Sequence, residues 1–532
     1  MIYDVRREVP APTEYDLCIV GAGAAGISIA LELASLPIRI CLLEAGGLKY
    51  DPVSQALMSG EVSNSQYPPL RGTRLAALGG TTGVWAGWCR PLESFDFAAP
   101  GAPPEQVWPV GRDELQPYYQ RAHEVCGIGA FEYDVQYWQQ VCGDCGVITD
   151  LEEFTNAIFH VHRQRFAHCY KEQLQQSEAV NLMLHAPVMK LNLDESGRRV
   201  GSVDVSTLQG TTTRIRATQF VLAAGGIENA RLLLLSGRSP AAVPGNQYGL
   251  VGRYFSDHPF VDPGSMVFRE GPGLVDFYLP KVDPTASGKS SVRGVLVPRR
   301  AVLERAGIAN AALFFHPRYE NHDAFLTEEV TSLLKWWAKL QRRAIPGDHW
   351  SDARRALLAP RRIVEALVRK AFVRNGPAQR WRLRAMFDCE ARYENRICLG
   401  DERDRLGRRE ARVEWQLSDN DIHKMRRTIE LFDKALRRSG IAHVEPAFPD
   451  EIDAWRSAAE AGRHHIGATR MHADPRHGVV DQHCQVYGTE NLHIAGSSVF
   501  TTPGYANPTL TIVALALRLA DRIKATIDIG SR

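Results

Sequence analysis

The sequence predicts an α/β protein: a Rossmann-like nucleotide-binding domain assembled from separated segments, with an α+β second domain built on an antiparallel sheet. Three observations carry that prediction. Tyr15 to Gly47 reads as strand, glycine turn, helix and strand. Phe220 to Asn229 returns as a second strand, glycine turn and helix. From about Val261 to Ile441 the pattern changes to short strands with scattered Gly and Pro.

The first unit is the most informative. Leu17, Cys18, Ile19 and Val20 form a short apolar run of the kind found in a buried parallel strand. Gly21-Ala22-Gly23-Ala24-Ala25-Gly26 follows, then Ile27, Ala30, Leu31, Leu33 and Ala34 at helical spacing. A second strand, Ile38 to Leu43, ends on Glu44. This is G-x-G-x-x-G in a βαβ context with an acidic residue about twenty positions on. Gly21 allows the tight turn, Gly23 lets backbone approach a pyrophosphate, and Gly26 lets helix and strand pack closely. The helix N-terminus offers free N–H groups to phosphate, and Glu44 can accept from both ribose hydroxyls. The motif alone does not choose between FAD and NAD.

The bulk composition excludes several classes. The chain has 532 residues, enough for two or more domains with large cores. Hydrophobic residues make up 44% and charged residues 23%, and the net charge is +2, so no global attraction to nucleic acid or membrane is expected. No stretch approaches the roughly twenty apolar residues of a membrane span. Met1 to Tyr15 has no apolar core of a secretion signal. Ten Cys in a chain this long read as reduced thiols, so a cytoplasmic location is expected.

Past Glu44, Ala45-Gly46-Gly47 leads into a polar stretch with room to run alongside a long cofactor. Leu78-Gly79-Gly80-Thr81-Thr82-Gly83-Val84-Trp85-Ala86-Gly87-Trp88 can lay several backbone N–H groups against one ligand face, and both Trp offer flat apolar walls. Together these two glycine blocks resemble the glucose–methanol–choline (GMC) oxidoreductases. Trp108-Pro109 and Leu115-Gln116-Pro117-Tyr118-Tyr119 are similar to a segment of the pyranose oxidase and fructose dehydrogenase branch. The resemblance implies FAD as cofactor, with Gly79, Gly80, Thr81, Thr82, Trp85 and Ala86 over its isoalloxazine and pyrophosphate. Pyranose oxidases carry a flavin-linking His just before the loop's Trp. Here Val84 stands in that place, has no nucleophile, and implies dissociable, non-covalent FAD.

The middle of the chain follows in order. Glu114 to Ala130 reads as a helix. Cys142-Gly143-Asp144-Cys145 lacks the second pair that a zinc site needs, so no metal is expected, and His160, His162 and His168 read as ordinary polar residues. Asn181 to Leu193, Val200 to Leu208 and Thr211 to Arg216 alternate as a small antiparallel meander. In the family, backbone near Val188 reaches the adenine. Ala223-Ala224-Gly225-Gly226-Ile227-Glu228-Asn229 resembles the family's second block, which assigns Ala224, Gly225 and Asn229 to the cofactor. In Leu250 to Pro259, His258 reads as a hydrogen-bonded structural residue.

The second domain is read as an antiparallel sheet roofing the flavin, with strands at Ser291 to Val297 and Ala311 to Phe315. Leu333 to Arg384 reads as helical and basic, with Trp336, Trp337, Trp350 and Trp381 interleaved. It fits a solvated insertion, a membrane-surface or partner-docking pair of helices, or a lid for an anionic substrate. Glu390, Asn395-Arg396-Ile397 and Asp401 to Gly407 resemble a family strand and turn without its Pro, and Glu414 to Ser439 reads as a strand and a long helix.

The C-terminus carries the chemistry. His464-His465-Ile466-Gly467 is followed by Ile494-Ala495-Gly496-Ser497 and by Tyr505-Ala506-Asn507-Pro508-Thr509, which opens a helix. A strand ending on small residues lets a cofactor come close. A helix N-terminus near Pro508 stabilises negative charge, as a reduced flavin needs. His takes a hydroxyl proton as hydride leaves carbon, and Asn holds the oxygen without competing for that proton. By resemblance the active pair is His464 with Asn507, with His465 as the rival base, and Gly496, Ser497, Pro508 and Thr509 border the cofactor.

These readings divide the chain into nucleotide-domain segments at 13–110, 179–260 and 463–532, a helical and loop connection at 111–178, and a substrate domain at 261–462. The implied activity is oxidation of an alcohol, a sugar, glycoside or polyol, by proton abstraction and hydride transfer to flavin N5. O2, a quinone or a protein would be the electron acceptor, and no nucleic-acid partner is expected. A natural-product intermediate, desaturation chemistry and a partner-dependent electron-transfer subunit remain alternatives.

Overall fold

A computed structural model describes residues 1–10, 13–64, 66–98, 106–143, 145–149, 151–269, 276–286, 290–318 and 380–527. The basic stretch read at Leu333 to Arg384 therefore lies outside the described residues up to position 379. Its last five residues belong instead to a strand, Arg380–Phe387.

The apolar run at Leu17 forms the strand Glu14–Val20, fully buried from Leu17 to Ile19. It pairs in parallel with Ile40–Leu43 on one side and with Thr212–Leu222 on the other. Leu492–Ile494 adds to Thr212–Leu222, again in parallel. The register sets Val20 opposite Leu43 and Leu222, and Leu222 opposite Ile494. Four strands thus end level with one another. Their following turns begin at Gly21, Glu44, Ala223 and Ala495, at the carboxyl edge where open parallel sheets bind ligands.

Three sequence expectations are corrected here. The sheet does not begin at Tyr15, because Ile2–Asp4 pairs in parallel with Val180–Leu184 as an outer strand. Asn181 to Leu193 is not one strand. His185 takes a left-handed φ of 53° and Pro187 follows, so Val180–Leu184 joins the parallel sheet while Val188–Leu193 enters the antiparallel meander. Thr211 to Arg216 and Phe220 to Leu222, read as separate, are one strand: its first half pairs with Val200–Ser206 and its second with the parallel strands.

The helix read at Glu114 to Ala130 spans Arg112–Cys126 and stops where Gly127 adopts φ 61°. The helix after the first glycine turn is Ala24–Glu32, and the final helix, Thr509–Thr526, packs on both.

The second sheet is antiparallel. Its order is Ala442–Pro446, Pro259–Phe268, Arg380–Phe387, Ala311–Arg318, Ser291–Pro298, Phe154–Val161 and Trp88–Cys89. Phe154–Val161 lies within the stretch read as a helical and loop connection, so that stretch also supplies a strand of the roof. Asp419–Ser439 is the long helix, started by a reciprocal cap between Ser418 and Asp421.

A buried ion network ties the helix Gly226–Ser236 to the hairpin Arg396–Arg403 and Arg409–Glu414. Arg231, with its side chain fully buried, reaches Glu228 at 3.2 Å and Asp404 at 2.9 Å. Arg74 and Arg408 close the network on the same two acids.

Candidate active site

A cavity of about 1320 Å³ lies between the carboxyl edge of the parallel sheet and the antiparallel roof. Drug-sized ligands occupy roughly 300–1,000 Å³, so this space suits a dinucleotide with a further molecule beside it.

The nucleotide end is built from the two glycine loops. Gly21 has φ 109°, and a Cβ there would stand 2.4 Å from the Ala223 carbonyl oxygen. Gly79 donates its N–H to the Ala22 carbonyl at 2.8 Å, and Gly80 comes so near Gly23 that a Cβ on it would lie 3.1 Å from the Gly23 Cα. Gly21, Gly23, Ala24, Ala25, Gly80, Thr81, Thr82, Trp85 and Ala86 line the cavity. Glu44 is buried, and its carboxylate accepts from the backbone N–H of Ala22 at 3.1 Å and of Gly46 at 2.9 Å. Burial raises its pKa against those bonds. Ala45 and Val188 also line the wall, the Val188 carbonyl accepting from Arg408 Nη1 at 2.7 Å. These groups fit a bound FAD: glycine-exposed backbone, a carboxylate at the end of the second strand, and helix N-termini at the rim.

Three expected cofactor contacts do not reach the cavity. Gly26 is packed behind the turn, where a Cβ would meet the Gly21 carbonyl at 1.9 Å. Gly79 serves the tie to Ala22 rather than the surface. Asn229 is fully buried and committed: its Oδ1 accepts from Ala224 N–H at 2.9 Å, and its Nδ2 donates to the Ala495 carbonyl and Ser498 Oγ at 3.2 and 3.1 Å. It braces the turns that carry Ala224, Gly225, Gly496 and Ser497, and those four do line the cavity.

At the other end, His464 and Asn507 come together. Asn507 Nδ2 lies 3.2 Å from His464 Nε2. Pro508, Thr509 and Ile512 line the same wall, so the positive end of the final helix abuts the cavity. His464 is half-buried and its backbone N–H donates to Asp257 Oδ1 at 2.8 Å. Burial, with His258 and His465 close by, holds its imidazole well below the ordinary histidine range, and therefore neutral. His465 also borders the cavity, but its ring stacks on Phe255 and tilts against Tyr67. Burial pushes it down to about 3, with Arg74 and Arg463 adding to the effect.

The sequence reading missed His258 as a partner of His464 and missed the roof. His258 Nδ1 lies 2.7 Å from His464 Nδ1, across 206 residues of chain. Phe260, Asp262, Ser265, Phe314, His316, Arg382, Arg384 and Met386 face the cavity from the antiparallel strands. Alternation along those strands was the available signal, but it does not say which face covers the site. His160, His162 and His168 do not line the cavity. Cys142 and Cys145 are unpaired thiols, Cys145 donating to the Cys142 carbonyl at 2.9 Å. Among the described residues no cluster of three metal-ligating side chains is present, and no helix is long and apolar enough to cross a membrane.

Comparison with known proteins agrees with this geometry. Residues 16–294 match the family model described as FAD dependent oxidoreductase, and residues 391–516 match the model described as GMC oxidoreductase. The chain is 23% identical to 2-methyl-1,2-propanediol dehydrogenase of Mycolicibacterium austroafricanum, covering 96% of this chain and 95% of the relative. It is 25% identical to paromamine 6'-oxidase of Streptomyces fradiae, covering 97% and 92%. The crystal structure of pyridoxine 4-oxidase from Mesorbium loti shares the fold, with a TM-score of 0.59 at 17% identity, covering 96% of this chain and 99% of that one.

Proposed function

The chain belongs to the FAD-dependent GMC oxidoreductases, and from that membership we propose that it oxidises an alcohol carbon of a sugar, glycoside or polyol. The observation that carries the proposal is the pairing of His464 Nε2 with Asn507 Nδ2, 3.2 Å apart, in the wall of a cavity that both glycine loops line. Bound FAD supplies the hydride acceptor, and O2, a quinone or a protein would take the electrons onward.

The chain's own residues do the rest. A hydroxyl entering beside His464 meets a neutral imidazole able to take its proton. Asn507, whose carboxamide holds no acidic proton, positions the same oxygen. The first turn of the Thr509–Thr526 helix favours negative charge at this wall. The roof offers Asp262, Ser265, His316, Arg382 and Arg384 as polar partners. That lining suits a substrate with several hydroxyls better than a simple apolar alcohol. The names of two relatives, 2-methyl-1,2-propanediol dehydrogenase and paromamine 6'-oxidase, support the alcohol reading. FAD is held without a covalent bond. Val84, 58% exposed on the second glycine loop, stands where pyranose oxidases carry the flavin-linking His and has no nucleophile.

The test is spectroscopic. FAD-loaded protein is mixed without oxygen with sugars, methyl glycosides, aminoglycosides and 1,2-diols. Bleaching of the yellow flavin band by one of these classes is the expected result and names the substrate class. Bleaching only by aldehydes or amines overturns the alcohol reading. Acid precipitation is expected to release the flavin into the supernatant.

A further inference from the structure

We propose that His258 is a positioning residue that fixes the tautomer of His464, so that a bare Nε2 faces the cavity. The inference deepens the reading of His464 as the base and rests on it for its functional meaning, although the tautomer itself follows from the hydrogen bonds and the burial of the two rings.

The argument runs outward from a carbonyl. The Pro503 carbonyl oxygen can only accept, and it lies 3.3 Å from His258 Nε2. His258 Nε2 therefore carries hydrogen. The ring is fully buried and burial pushes its pKa down to about 4, so it is neutral and holds one proton. Its Nδ1 is then a lone pair. That lone pair faces His464 Nδ1 at 2.7 Å, with the two rings crossed at 78°. His464 Nδ1 must be the donor, because the other tautomer would set two lone pairs against each other at that distance. A neutral His464 with its proton on Nδ1 has a bare Nε2, and Asn507 Nδ2–H points to it at 3.2 Å.

The neighbouring residue completes the hold. Asp257 Oδ1 accepts from the His464 backbone N–H at 2.8 Å, and Asp257 Oδ2 accepts from Tyr67 Oη at 3.0 Å. Asp257 and His258 thus grip His464 at its backbone and at the ring nitrogen away from the cavity. When Nε2 takes a proton, the Nδ1–H bond to His258 is already formed, and only the Asn507 carboxamide has to give up its bond to Nε2. A base in the wrong tautomer would present N–H where a lone pair is required, a defect that lowers turnover by orders of magnitude in other histidine-dependent enzymes.

The test is nitrogen NMR of FAD-loaded protein carrying 15N-histidine. His464→Gln identifies the His464 signals by their loss. The wild type is expected to show His464 Nε2 as an unprotonated nitrogen and Nδ1 as protonated. His258→Leu, which offers no acceptor, is expected to lose that pattern while the flavin spectrum is unchanged. His258→Asn, whose carboxamide oxygen can take the place of Nδ1, is expected to restore it. In turnover with 1,2-propanediol, His258→Leu is expected to lower kcat at least about tenfold with KM unchanged. A wild-type His464 protonated on Nε2 overturns the inference, even if the Leu variant does not fold. So does a His258→Leu variant that keeps the wild-type pattern. A bare Nε2 in an enzyme whose flavin no alcohol bleaches would leave the tautomer standing and overturn the alcohol reading instead.

Discussion

Asp257 shows how a residue outside the chemistry sets its conditions. Burial raises its carboxyl to about 7, against the bonds it accepts from the His464 N–H and Tyr67. An acid whose pKa is higher in the folded than in the unfolded protein favours folding at low pH. That contribution is lost as pH rises from about 4 through 7. Asp257→Asn cannot ionise, so its melting temperature relative to wild type is expected to climb between pH 5 and pH 8.5. A difference that stays constant over that range would contradict the assignment. That His464 and Asn507 border one cavity was legible because each sits in a short block that resembles a family motif. His258 was read as structural because its partner lies 206 residues away, and no local pattern reveals a pairing across that distance. Asn229 was read as a ligand because it follows a glycine turn. Its burial shows that it braces that turn.

At the scale of elements, the glycine turns differ in what they can bear. Gly21 and Gly225 both adopt positive φ, 109° and 90°. A Cβ on Gly21 would strike the Ala223 backbone, whereas a Cβ on Gly225 meets nothing within 4 Å. Gly225→Ala is therefore expected to fold at the cost of holding Ala in a backbone region populated almost only by glycine, about 1–3 kcal/mol in thermal melting. Gly21→Ala is expected to lose FAD binding, measured by flavin fluorescence and thermal melting. The network around Arg231 makes a second prediction. Burial alone would raise Glu228, but Arg231, Arg74 and Arg408 outweigh it and bring its carboxyl down to about 2. Arg231→Leu would leave Glu228 to Arg74 and Asp404 to Arg408 but remove the group that bridges them, and is expected to destabilise the protein by about 1.5–3 kcal/mol in denaturant melts. The βαβ unit and the final helix were legible from periodicity and glycine spacing. The long strand Thr212–Leu222 was not. Its two halves obey different partners, and alternation cannot show where one sheet hands over to another.

The whole molecule is a parallel sheet whose carboxyl edge faces an antiparallel roof, with the cavity between them. Its nucleotide side was legible because phosphate binding demands glycine at fixed places. The roof was legible only as a change of pattern, because a substrate pocket has no comparable fixed spacing. Its strands come from positions 88–89, 154–161, 259–268, 291–298, 311–318, 380–387 and 442–446, which only the tertiary fold brings together. The central claim is that His464 takes the proton of an alcohol bound under this roof. Anaerobic mixing of the FAD-loaded wild type and of His464→Gln with the same diol or glycoside tests it most directly. The wild type is expected to bleach, and the variant, with its flavin still bound, to bleach about 10²–10⁴-fold more slowly. A variant that bleaches at the wild-type rate would contradict the account.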